Sequence, residues 1–467
     1  MDTQLTQTRR TLSAFDAACM IVGIIIGAGI YKTTPLVAAA STSSVWVMTV
    51  WVLGGVLALV GALCYAELAM TVTDAGGEYA YLCKAYGNGT GSFFAWIEFW
   101  IIRPGSTGPM AMLFGEYAQI LAPLSKDPET GMLIYAVILT LVLLGLNLGG
   151  LRTGKITQNA LTTFKVLALL ALVAGSLAVF WFSPEAMAPV VTGSAEALSG
   201  RDLSMDGFLL AMVLVMFTYG GWNDLSYVAA EIKEPAKNIP RALLLGVLTV
   251  TVIYVLVNLA MLLALGQDGV AGSDTPATDL LKKTMGSSAE KMMALLICIT
   301  AMGAVNGMMF TSARIYHALG QQVRAFQWLG HWNERFNVPA RSLGLQTMVI
   351  LAMVIGFGTR PDGFELMVLF VAPFMWTFLV MIGSTLFVFR KKNMVNTSTY
   401  KTPLFPLLPI LFVLSSGFMA YRSADYFRFQ AEQQNLLENP FFVGLVVATS
   451  LIVGSGCVVA RFSRSLR

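Results

Sequence analysis

The chain has 467 residues, 56% of them hydrophobic and 12% charged, with a mean hydropathy of +0.70. A soluble chain of this length carries roughly twice that charged fraction, which argues against a soluble globular protein. The net charge of +4 bears on loop topology and little else.

Twelve apolar segments follow one another, at approximately 12–39, 44–72, 92–121, 132–150, 157–182, 206–230, 241–265, 291–315, 341–358, 363–390, 404–421 and 440–461. Most are near the ~20 residues that a helix needs to cross the hydrocarbon core. The expected class is therefore an all-α polytopic membrane protein with twelve transmembrane helices in one domain, 1–467. A transmembrane barrel would show short alternating segments instead. Residues 1–11 are polar and carry Arg9 and Arg10. They lead into an apolar run far longer than that of a signal peptide, so they are expected on the cytoplasmic side. With both termini inside, nineteen Lys and Arg fall on inner loops and nine on outer ones, the asymmetry of a cytosolic face. The expected location is the inner or plasma membrane of the cell. The stretch 317–331 is expected as a short interfacial helix or a loop, and Pro276 to Gly286 as another such helix.

Segment one contains Val22-Gly23-Ile24-Ile25-Ile26-Gly27-Ala28-Gly29-Ile30-Tyr31. Glycine costs a helix interior about 1 kcal/mol relative to alanine, and a broken helix in lipid leaves backbone groups unsatisfied unless protein or a polar cavity surrounds them. Gly23 and Gly27 also form a GxxxG, which serves close helix packing, but Gly29 lies off that face. Segment six contains Phe217-Thr218-Tyr219-Gly220-Gly221-Trp222-Asn223. Two glycine-interrupted segments at corresponding places in two halves point to the binding site of a secondary transporter. If helix one unwinds around Gly27, Ala28 and Gly29, its second half offers free N–H groups and a positive dipole end to a carboxylate. If helix six unwinds after Phe217, its first half offers carbonyls to an ammonium. Together they suit an α-amino-acid zwitterion.

Lys165 sits in the fifth segment, where a central lysine costs about 2.5–3.5 kcal/mol on insertion scales. It either snorkels to the interface or stands as a fixed ammonium beside the broken first helix, in the place of a coupling sodium. Arg103 precedes Pro104 in the third segment; it either satisfies carbonyls released by a bend or pairs with Glu98 or Glu116. Asp224 and Glu67 are further partners for cations. Scattered cysteines and two histidines offer no disulfide framework or metal cluster. No P-loop, HExxH, GxSxG or basic-aromatic stripe is present, so no cofactor, ATP coupling, hydrolase chemistry or nucleic-acid partner is indicated.

Several ordered motifs carry a resemblance. Gly23 to Ile30 resembles the broken first helix of the amino acid–polyamine–organocation superfamily. Gly61-Ala62-Leu63-Cys64-Tyr65-Ala66-Glu67-Leu68 followed by Gly76-Gly77-Glu78-Tyr79 looks like its L-type amino-acid transporter branch. Ile101-Ile102-Arg103-Pro104, Tyr219-Gly220-Gly221-Trp222-Asn223 and Val305-Asn306-Gly307 with Phe310 to Arg314 extend the match. The resemblance implies a leucine-transporter-like five-plus-five inverted repeat (12–182 and 206–390) with helices 1 and 6 broken, and two added helices over 404–461. It implies that a substrate carboxylate meets N–H groups at Ala28 and Gly29, and an amine meets carbonyls near Ile25, Phe217, Thr218 and Gly220. Phe217 matches an aromatic that closes over the substrate, Asn223 a residue near its side chain, and Lys165 the lysine of sodium-independent members.

The implied function is sodium-independent exchange of neutral amino acids by alternating access, not an enzymatic reaction. Rivals are a proton-coupled symporter of the same fold and a non-transporting amino-acid sensor. Expected partners are small-molecule amino acids and membrane lipids. Animal members of the branch join a glycoprotein through a cysteine between helices three and four; residues 122–131 contain none, so no disulfide-linked heavy chain is expected. The Gly105-Ser106-Thr107-Gly108-Pro109 run departs from a regular third helix, which bears on side-chain selectivity.

Overall fold

The computed structural model describes residues 10–27, 29–182, 205–273, 275–285, 288–360, 363–394, 400–433 and 440–464. Helix α1 (Ala14–Ile25) starts from a reciprocal capping box in which the Ser13 and Asp16 side chains bond each other's backbone N–H, satisfying two of the first-turn donors. It stops at Ile25, and α2 (Gly29–Ala40) resumes bent by 47°. The continuous helix α3 (Ser44–Thr71) is followed by the short α4 (Glu78–Tyr86). Next, α5 (Asn88–Ile97), a π-turn (Glu98–Ile102) and α6 (Arg103–Leu121) run end to end. Such single-turn π segments widen a helix locally and often mark functional places.

Helices α7 (Pro128–Leu148) and α8 (Leu151–Phe182) meet at a tight turn. There Gly150 takes φ +120°, open to glycine, so α8 begins six residues before the expected start of its segment. The second half opens with α9 (Met205–Thr218), then a 3-10 turn (Trp222–Asp224), the one-turn α10 (Leu225–Val228) and a 3-10 turn (Ala229–Glu231). It continues through α11 (Pro235–Ala271), α12 (Pro276–Met285), α13 (Ala289–Gln322), α14 (Ala340–Gly358) and α15 (Gly363–Lys391). Helices α16 (Leu407–Gln433) and α17 (Pro440–Arg464) close the described chain.

Among the described residues ten helices are long and apolar enough to cross a membrane, and the bent pair α1–α2 makes an eleventh. Each of the twelve expected segments overlaps a described helix, the third as the bulged run from Asn88 to Leu121. The expected helix over Pro276 to Gly286 is α12. The stretch 317–331 differs from either expectation at its start: His317 is buried within α13, which runs on to Gln322. Its ring packs against Trp332 at 5.0 Å, so tertiary contact extends the helix past the apolar run.

The two broken helices occupy the middle of the bundle. Helix α1 packs on α8, α11 and α13, while α9 packs on α2 and α3. Before α1, Thr11 and Leu12 donate their N–H groups to the Glu231 carbonyl, and Lys233 donates to that of Leu12. Lys155 lies 3.2 Å from Asp16 on the same side, so the entry to α1 is strapped to the end of broken helix six and to α8.

Candidate functional site

The two breaks touch. A Cβ on Gly29 would sit 2.8 Å from Thr218 Cγ2, and one on Gly221 2.6 Å from Ile24 Cγ2. Gly221 has φ +110°, a conformation that L side chains rarely adopt. Glycine is thus required at these places by close approach and by backbone geometry. Gly23 serves packing, as its GxxxG suggested, because Gln158 and Thr162 of α8 crowd it.

One pocket lies between the breaks, and Ile25, Gly27, Gly29, Phe217, Thr218, Gly220 and Asn223 all line it. Ala28 lies outside the described residues. The amino end of α2 at Gly29 opens on this pocket; the first four N–H groups of a helix have no partner within it, and the dipole favours an anion there. On the opposite side the carbonyls divide. The Phe217 carbonyl accepts from the Gly220 N–H at 3.0 Å, while that of Ile25 accepts from Gly27 N–H at 2.7 Å and from Tyr254 Oη at 2.8 Å. With both lone pairs engaged, Ile25 has little capacity left for an ammonium. Thr218 Oγ1 donates to the Leu214 carbonyl or bonds Thr33 Oγ1 across to α2.

Lys165 is fully buried, which removes the snorkelling alternative. Its Nζ donates to the carbonyls of Gly23, Ile26 and Thr300 at 2.8, 2.9 and 3.1 Å. The first two are acceptors at the end of α1 that the break deprives of regular helical partners, and an ammonium has three donors to match three acceptors. Gly303 leaves room for it: a Cβ there would come within 2.8 Å of Nζ.

The third helix resolves in favour of a structural pairing, with an added partner. Arg103 binds Glu98 through Nη2 at 2.7 Å and Nε at 3.0 Å, and Asp224 through Nη1 at 2.7 Å and Nη2 at 3.1 Å. All three side chains are buried, so the guanidinium ties the π-turn of helix three to the second half of helix six. Thr311 Oγ1 of α13 also donates to Asp224, at 3.0 Å. Glu116 instead meets Lys32 at 3.2 Å, and Glu67 meets Arg390 at 2.8 Å.

Glu78 also lines the pocket, and the reading of the breaks did not single it out. It accepts from Asn223 Nδ2 at 2.9 Å and from the hydroxyls of Tyr65 and Tyr227. It begins α4, outside the membrane-spanning segments. Burial pushes its carboxyl up to about 7, with Glu98 adding repulsion, against the opposing pull of the Tyr227, Tyr65 and Asn223 hydrogen bonds. A lone carboxylate in Gly76-Gly77-Glu78-Tyr79 was the available sequence signal; nothing local showed that the loop folds back to the pocket. Met110 and Met308 line it as well, flexible side chains that adapt to varied apolar shapes.

The amino acid permease family profile matches residues 12–451. The large neutral amino acids transporter small subunit 2 of Rattus norvegicus is 32% identical over 317 residues, 66% of this chain and 58% of that protein. The b(0,+)-type amino acid transporter 1 of Mus musculus is 27% identical over 417 residues, 89% of this chain and 82% of that protein. The serine/threonine exchanger SteT of Bacillus subtilis (strain 168) is 27% identical over 422 residues, 90% of this chain and 92% of that protein. The chain thus spans less than two thirds of the first of these relatives. A profile match over nearly the whole described chain, on an all-helical bundle with its first and sixth helices broken around one pocket, is decisive: the chain belongs to the amino acid permease family of the amino acid–polyamine–organocation superfamily.

Proposed function

We propose that the protein is an amino-acid transporter of the L-type branch that exchanges neutral amino acids without sodium. The observation that carries this reading is the pocket where the start of α2 and the end of α9 face each other. In it the substrate carboxylate meets the N–H groups around Ala28 and Gly29, and the ammonium meets carbonyls around Phe217, Thr218 and Gly220. The engaged Ile25 carbonyl makes a smaller contribution than the sequence suggested. Recognition by backbone reads what all amino acids share, and Phe217 and Asn223 bear on the side chain.

Sodium independence is supported by Lys165, whose ammonium fills a carbonyl-lined site at the first break. Neutral selectivity is supported by Asp224, which directly follows the second break in sequence and whose oxygens are occupied by Arg103 and Thr311. The halves 12–182 and 206–390 are the moving repeats, with 404–461 as an addition and both termini cytoplasmic. The absence of a cysteine in residues 122–131 supports a chain that works without a disulfide-linked partner. Similarity to proteins named as transporters and an exchanger supports transport over enzymatic chemistry.

Counterflow in proteoliposomes tests the reading. Labelled alanine or leucine should enter vesicles preloaded with unlabelled neutral amino acids, at equal rates in sodium and choline buffers. Accumulation into empty vesicles under an inward proton gradient would instead establish symport. Failure of all twenty amino acids to enter loaded or empty vesicles would remove transport itself.

A further inference from the structure

Three carboxylates and one guanidinium surround the same pocket: Glu78, Glu98, Asp224 and Arg103. All are buried, and an isolated buried charge is costly enough that such groups are paired or neutralised. Arg103 spends its donors on Glu98 and Asp224. Glu78 is left with neutral donors alone, the hydroxyls of Tyr65 and Tyr227 and the Asn223 amide.

We propose that Glu78 is a proton-binding site, filled while the second half of helix six packs against α3 and emptied when that half-helix moves away. This rests on the transport reading for its role in the cycle, while proton occupancy itself does not. Two of the three partners of Glu78, Asn223 and Tyr227, ride on the second half of helix six, and the third, Tyr65, is on α3. Displacing that half-helix from α3 removes donors and admits water to the carboxyl. Closure dries it again beside Glu98. The proton comes from water onto a Glu78 oxygen and returns to water; no other bond changes.

The surroundings contain no second cation for Glu78 among the described residues. Facing it are Tyr65 of α3, Asp224 and Tyr227 of helix six, Glu98 and Arg103 of helix three, and Tyr81 on α4 itself. On the other helices packed against α4, Arg314 of α13 is held by Glu231 and Arg390 of α15 by Glu67. Lys84 of α4 meets Asp74, and α5 carries no charged residue.

A carboxyl near 7 passes from mostly protonated to mostly ionised between about pH 6 and about pH 8, so exchange at equal pH on both sides should fall about tenfold. Glu78→Gln keeps the neutral form and should flatten that profile. Infrared difference spectra of the purified full chain without substrate, taken across the same range, should show loss of a protonated-carboxyl band that Glu78→Gln lacks. Retention of the wild-type pH slope in Glu78→Gln overturns the proposal. So does a wild-type spectrum without such a band, a result that needs no variant to fold. Selective loss of arginine or lysine exchange in Glu78→Gln, with the slope for neutral substrates unchanged, makes Glu78 a substrate counter-ion and also overturns it. If no amino acid is transported, the function reading fails, and the infrared titration still decides whether Glu78 holds the proton.

Discussion

Replacing Arg103 by methionine removes one cation and strands two buried carboxylates. The structure sets the scale: four hydrogen bonds of 2.7–3.1 Å reach Glu98 and Asp224, and the side-chain exposures are 5% or less on every member. Removing one partner of a buried pair costs about 3–5 kcal/mol, because the other charge stays behind. With two charges left, the upper end of that range applies. Thr311 moderates the loss at Asp224 through a single hydroxyl donor. By the scaling of melting temperature with stability for a chain of this length, this corresponds to a drop on the order of 5 °C in detergent. Neutralising the whole cluster, as Glu98→Gln with Arg103→Met and Asp224→Asn, should recover most of the loss, since buried ion clusters contribute little net stability over neutral replacements. The assay is thermal unfolding monitored by tryptophan fluorescence or size-exclusion recovery, with transport measured in parallel. Transport should fall in Arg103→Met because helices three and six lose their tie. Melting of Arg103→Met within about 1 °C of the parent, a shift worth about 1 kcal/mol, would refute this pairing, as would a triple variant that melts no higher than the single one.

Gly29→Ala should push the half-helices apart, costing about 1–3 kcal/mol by overpacking, because its Cβ would meet Thr218 at 2.8 Å. Adding Thr218→Ala should restore substrate binding in a thermal-shift titration, and no restoration would discount the clash. Lys165→Ala strands the carbonyls of Gly23 and Ile26 at the break, while that of Thr300 stays within the unbroken α13. Each buried acceptor left without a partner costs about 1–3 kcal/mol, so exchange should fall at least about tenfold, a barrier change of about 1.4 kcal/mol. Parent-like rates in both sodium and choline buffers would remove the ammonium from the mechanism. Glu78 also bears on stability. Its carboxyl is raised from the ordinary 4.5 to about 7, so the native state binds more protons than the unfolded chain between those values. Thermal stability should therefore be fullest below about 4.5, fall as pH rises through about 7, and vary less in Glu78→Gln. Unchanged pH dependence in that variant would assign the loss to other groups.

Much of the candidate pocket was legible because the helix breaks that border it are a matter of backbone. Glycine at 27, 29, 220 and 221 in otherwise apolar runs marks where a helix cannot continue cheaply, and both breaks stand where those residues are. Lys165 was visible as a charge in an apolar segment, although only its burial distinguished a carbonyl-bound ammonium from a snorkelling one. Lining by Glu78 was illegible, because a polar loop residue reads as solvated until the loop is seen folded under the bundle.

Composition and the spacing of apolar runs were by themselves sufficient for a helical membrane bundle, since each helix satisfies its own backbone in lipid. The breaks followed from local glycine content for the same reason. Tertiary structure alone decided the pairing of charges. Arg103 finds Asp224 at a separation of 121 residues, Glu67 finds Arg390 at 323, and Asn223 finds Glu78 at 145. Side-chain electrostatics acts over a few ångströms through space, and helix packing, not order along the chain, sets which groups come that close.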